Sequence, residues 1–148
     1  MASTRESLIQ TADHRTGVGG PPVVTAVVIV AAANMLIGGV WAFAWPESFA
    51  AFVQFPFHQD YRHFLHDAGA FTIGIGATLL LALWWRDAIA VALFGFVVAT
   101  AVHAVSHFID RDLGGRPTDW VLLTVLALVA AAALAARLRF LKERSVMP

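Results

Sequence analysis

The chain has 148 residues, 59% of them hydrophobic and only 14% charged, with a mean hydropathy of +0.72. Soluble domains run nearer a quarter charged, so a water-soluble globule fits this composition poorly. Ten basic residues balance ten acidic ones, which leaves no electrostatic case for nucleic acid, and the lack of cysteine excludes disulfides, thiolate metal sites and cysteine nucleophiles.

Residues 1–21 are polar and carry a Gly-Gly-Pro-Pro punctuation at 19–22, which reads as a flexible tail. Beyond it, four windows avoid Asp, Glu, Lys and Arg: 23–45, 68–85, 88–109 and 120–136. A helix rises about 1.5 Å per residue, so roughly 20 residues cross a ~30 Å hydrocarbon layer. The windows predict an all-α fold, a four-helix transmembrane bundle over 22–138, with helices at about 23–45, 66–85, 88–109 and 119–138. A basic tail, 139–148, follows.

The first segment ends in Ala42-Phe43-Ala44, which resembles a signal-peptidase site. Its apolar run exceeds the roughly 7–15 residues of a signal peptide, and the tail before it is long and nearly neutral. It therefore reads as a retained helix, with cleavage as the lesser alternative. Asn34, in the middle of this segment, reads as an interhelical hydrogen-bond donor. The stretch 46–62 interleaves Phe49, Phe52, Phe55 and Phe57 with Glu47, Gln54 and Gln59, as a piece lying at the headgroup boundary would. Trp41, Trp45, Trp84, Trp85 and Trp120 fall near predicted helix ends, where interfacial anchors belong.

Orientation follows from basic residues in short loops. Arg5, Arg15, Arg86, Arg137, Arg139, Lys142 and Arg144 share one side; Arg62, Arg111 and Arg116 share the other. Both termini are thus expected in the cytoplasm of a multi-pass cell-membrane protein.

The second and third segments are joined at Arg86-Asp87 and are expected to form a tight antiparallel hairpin. Equal steps from the turn bring His66 level with His107, His63 with Asp110, and Ala70 with His103. Every fourth residue then gives two stripes dominated by small side chains, with Ala70, Gly74 and Thr78 facing Ala99 and Gly95. Small residues let membrane helices approach closely, so these five are expected to form a seam. It ends in the cluster His66, His103 and His107, flanked by His63, Asp67 and Asp110, about 30 Å from the turn.

Three uses of that cluster are open. It could simply tie the two helices together, because ionisable groups in a membrane must be paired whatever their role. His103 and His107, at i and i+4, could share a transition metal with His66, while His63, Asp67 and Asp110 orient the ligands. A haem or quinone is less favoured than a metal, since a close seam leaves no width for a haem. There is no nucleophile with a base, no nucleotide motif and no HExxH, which weighs against an enzyme. Lipid is the expected partner, and a homo-oligomer or a larger membrane complex is compatible with the pattern. The hydroxyls of Thr72, Thr78, Thr100 and Thr124 are expected to bond to their own helices.

The run HFLHDAGAF entering the second helix and HAVSHFID leaving the third resemble small four-helix bacterial membrane proteins of uncharacterised function, loosely grouped as DoxX-like. The resemblance covers about residues 60–136 and implies a four-helix integral membrane protein without an assigned activity. Where those proteins would carry arginine before the aspartate, this chain has His66; were arginine usual there, the resemblance would imply a salt-bridge role for that position more naturally than a metal role. The expectation is a small multi-pass membrane protein with a metal- or small-ligand-binding His/Asp cluster. The alternative is a non-catalytic accessory subunit in which the cluster is structural.

Overall fold

The computed structural model describes residues 20–113 and 115–146, and every regular element in them is helical. Helix α1 spans Pro22–Ala44, and Pro22 stands at its first positions, where a missing N–H costs nothing. The chain breaks at Trp45 and restarts at Pro46 as a short helix, α2, Pro46–Val53. That helix stops at Gln54, whose left-handed backbone (φ 60°) lets its N–H reach back to the carbonyls of Ala50 and Ala51. A single 3₁₀ turn, Gln59–Tyr61, leads into α3, Arg62–Trp84. A second, Arg86–Ala88, turns the chain into α4, Ile89–Ile109. The last helix, α5, covers Asp119–Val146.

Four of these helices, all but α2, are long and apolar enough to cross a membrane. Helix α3 starts four residues before the expected boundary. Helix α5, 28 residues and so about 42 Å long, continues well past 138 and takes up most of the stretch read as a basic tail. Of the stretch read as a tail, 1–21, all but the last two residues lie outside the described residues.

The surface of this bundle is inverted relative to a soluble protein. Phe71 is 77% exposed, Trp84 83% and Ile37 68%, and large apolar side chains are exposed on every long helix. Apolar area on this scale has no place against water, and its fit is to lipid. The interior is built from small residues and a few aliphatics: Val24, Val28, Ala31 and Ala32 of α1, Leu79 and Ala82 of α3, Ala92, Leu93 and Phe96 of α4, and Ala130 and Ala133 of α5.

The closest partnerships are α1 with α3 and α4 with α5; α3 meets α4, and α1 meets α5, more lightly. This differs from the expected seam between α3 and α4. A Cβ built on Gly74 or Gly95 meets nothing within 4 Å, and Ala70 and Thr78 are exposed. The reason is rotational. On α4 the buried stripe includes Ala92, Phe96, Thr100 and Ala104, one residue beyond the expected Gly95, Ala99 and His103. On α3 it runs through Leu65, Gly69, Gly76, Leu79 and Ala82. One residue is about 100° of rotation, enough to turn the expected seam out of the interface. Between α3 and α4 near the turn there is a groove lined by Thr78, Leu81, Trp85, Ala88 and Val91.

Backbone groups inside the helices are satisfied locally. The hydroxyls of Thr72, Thr78 and Thr124 donate to the carbonyls of Ala68, Gly74 and Trp120, each four residues back. Thr100 lies buried in α4.

Candidate functional site

One end of the bundle carries α2 and the loop before α5. The sequence at this end favours breaks: Pro46 after Trp45, Pro56 after Phe55, and Pro117 after Arg116. The pieces between the breaks are fastened by polar contacts. Trp41 of α1 donates from Nε1 to Ser48 Oγ at 3.1 Å, and its ring packs on Phe49 and Phe52 of α2. Glu47 of α2 pairs with Arg62 at the start of α3. Arg116, just before α5, donates from Nη2 to the Phe52 carbonyl at 2.6 Å and lays its guanidinium 4.6 Å from the Phe52 ring. The Arg116 N–H donates to Asp119 Oδ2, and the Gly115 N–H to the Gln54 carbonyl. Residues 46–54 thus bridge α1 to the start of α5.

The histidines at this end are not in one cluster. His103 and His107, one turn apart on α4, bring their Nε2 atoms to 3.0 Å, with ring centroids 4.7 Å apart. His66 instead sets its ring 5.2 Å from that of Phe43 on α1. No ring contact or hydrogen bond joins it to His103 or His107. His63 points to Asp67 of its own helix, 3.5 Å away, with both side chains largely exposed. It does not reach across to Asp110. Asp110 closes α4, its N–H donating to the Ser106 carbonyl. Among the described residues, no group of three or more His, Asp or Glu side chains is placed to hold a metal ion.

The separation of His66 from the α4 pair follows from the packing of α3. Gly39 and Gly69 press α3 onto α1, and this fixes the rotation of α3 so that Leu65 and Gly69 face inward. His66, one residue on, then flanks the α1 contact and meets Phe43.

The α4 pair is chemically specific. Two neutral imidazoles can approach nitrogen to nitrogen only when one donates its Nε2–H to the bare Nε2 of the other. Removing that proton leaves two lone pairs 3.0 Å apart. With metal–nitrogen distances of about 2.0–2.1 Å, two cis ligands at a right angle stand about 2.9 Å apart, and tetrahedral ones about 3.3 Å. The nitrogen–nitrogen separation of the pair thus falls within the span of two cis metal ligands. Phe108 and Trp120, edge to face at 5.4 Å, hold the end of α4 against the start of α5 beside it.

A second polar feature, at the opposite end, was not singled out by sequence reasoning. Arg137, expected only as one of the basic residues that set orientation, is 1% exposed. Its Nη2 donates to the Arg86 carbonyl at 2.6 Å, and its guanidinium lies 5.5 Å from the Phe140 ring. Gly20 passes directly over it: a Cβ there would meet Arg137 Nη1 at 2.9 Å, and the backbone at Gly20 has a φ of 76° that suits glycine. Its position as the first charge after the uncharged run 120–136 was the available signal.

Comparison of the chain with protein-family models, with curated proteins and with solved structures gave no match.

Proposed function

We propose that this chain is a small multi-pass membrane protein, of the four-helix kind its sequence resembles, that binds a divalent transition metal through His103 and His107. The observation that carries this reading is the 3.0 Å Nε2···Nε2 approach of the two rings. Solvent completes the coordination sphere. His66, His63, Asp67 and Asp110 are outside this reduced site. The role is binding, with no catalytic step assigned.

Both termini are placed in the cytoplasm and the α2 end outside, on the distribution of Lys and Arg. The bond from Arg137 to the Arg86 carbonyl supports the grouping, since it puts the α3–α4 turn and the far part of α5 at one end. The metal site then faces the exterior.

The test is a metal titration of protein purified in mild detergent and stripped with chelator, using Zn(II) and, for its visible absorption, Co(II). The wild type should take up about one ion per chain, and His103→Ala and His107→Ala should lose it. His66→Ala and His63→Ala should keep it. A wild type that binds no metal, while His103→Ala and His107→Ala merely lower its melting temperature, would overturn the reading and leave the pair a structural tie.

A further inference from the structure

Asn34 is the anomaly of the first long helix. It sits about 18 Å from the start of α1, near the middle of a helix about 35 Å long, so at the depth where hydrocarbon is driest. The expected interhelical partner is not among the described residues: Asn34 is exposed, and its carboxamide makes no hydrogen bond to any of them. The mid-helix hydroxyls of Thr72, Thr78 and Thr124, by contrast, each bond to a carbonyl of their own helix. An amide left bare in lipid is unfavourable by the desolvation of both its donor and its acceptor.

The surface around it is suited to a close neighbour. Gly38, one turn on, has nothing within 4 Å of where its Cβ would be, in contrast to Gly39, which is pressed onto α3. Val30 and Ile37, on the same side, are 63% and 68% exposed. A shallow apolar groove continues along Ile37, Val40, Trp41 and Trp45. Val30, Asn34, Ile37 and Gly38 thus form a face with a single polar group at its centre and a gap in the side-chain layer beside it.

A carboxamide is its own complement, since it donates and accepts in equal measure. About a twofold axis, Asn34 of one copy meets Asn34 of the other and both amides are satisfied, while Gly38 permits the backbones to come close. A different partner would need a matching donor and acceptor at the same depth; a second copy brings them at the right depth by symmetry. We infer that the chain forms a homodimer in the membrane through α1, with Asn34 paired to Asn34 across the axis.

This inference rests on the membrane reading of the helices but not on the metal site, and the test separates the two. The chain has no cysteine, so single cysteines report contacts without background. Ile37→Cys and Val30→Cys, oxidised in isolated membranes, should give a disulfide-linked dimer, and Phe71→Cys, on an exposed face of α3, should not. In detergent, dilution of the uncrosslinked protein followed by energy transfer should show Asn34→Leu associating about 3- to 30-fold more weakly, with Asn34→Gln recovering most of the loss. Absence of the protein from the membrane fraction would sink the membrane reading. Membrane-inserted protein that crosslinks no better at Ile37 and Val30 than at Phe71, or Asn34→Leu that associates as the wild type does, would overturn the dimer.

Discussion

Gly39 of α1 and Gly69 of α3 meet backbone to backbone. A Cβ on Gly39 would stand 2.9 Å from the Gly69 carbonyl oxygen, and one on Gly69 would stand 2.7 Å from the Gly39 oxygen. No side chain intervenes that could swing away, so the helices must separate to admit a methyl group.

Gly39→Ala and Gly69→Ala should therefore each destabilise the fold by about 1–3 kcal/mol, the usual scale of overpacking, in spite of alanine's better helix propensity. Gly74→Ala and Gly95→Ala, which face open space, should be neutral or stabilising by up to about 1 kcal/mol. Thermal unfolding in detergent compares the four. Equal losses at Gly74 and Gly39 would restore the α3–α4 seam in place of the α1–α3 contact.

Arg137 locks α5 to the α3–α4 turn. Replacing it with leucine removes a charged donor from the Arg86 carbonyl, and a loss of about 1.5–3 kcal/mol is expected. Arg139→Leu, at an exposed position of the same helix, should change stability by less than about 0.5 kcal/mol. A melting temperature that falls equally in both variants would mean that the end of α5 contributes only its general charge.

Arg116 is the clasp of α2. Arg116→Ala removes both the bond to the Phe52 carbonyl and the guanidinium–ring contact, together worth about 1–2 kcal/mol at a partly exposed site. Amide exchange over residues 46–54 should accelerate while α1 and α3 keep their protection. Unaltered exchange in 46–54 would show that Trp41 and the Glu47–Arg62 pair hold α2 by themselves.

The two ends of the bundle can be assigned to the two sides of a membrane with single cysteines. Asp112→Cys, in the exposed loop before α5, should react with a membrane-impermeant maleimide added to intact cells. Glu143→Cys, near the end of α5, should react only after the membrane is opened. The reverse pattern would invert the orientation inferred from Arg and Lys.

The four long helices were legible because charge is expensive in hydrocarbon, and its avoidance over 23–45, 68–85, 88–109 and 120–136 marks them directly. Which way each helix faces was not. In a soluble helix, water on one side makes the apolar residues periodic, and the period gives the rotation. Here both the outward side and the packed side are apolar, so only the distribution of small residues speaks. On α4 that distribution offers two stripes one residue apart: Gly95, Ala99 and His103, or Ala92, Phe96, Thr100 and Ala104. The first reads better as a string of small residues; the second is buried because Phe96 and Leu93 fill the space beside Ala130 and Ala133. The same slip on α3 moved His66 from the α4 pair to Phe43. The i, i+4 pair itself survived, because it depends only on the geometry of one helix. Arg137 was hidden for a different reason: a topology signal and a buried tie are the same residue type at the same boundary.

The intimate partnerships, α1 with α3 and α4 with α5, each join stretches that emerge consecutively during synthesis, and the short turn at Arg86–Ala88 falls between them. Cutting the polypeptide there divides neither couple. Two fragments, 1–87 and 88–148, produced separately in one cell, should find each other and rebuild the whole, whereas a break inside α3 should leave pieces that are degraded. The architecture is thus that of two halves, each packed mainly within itself and joined by the lighter α3–α4 and α1–α5 contacts.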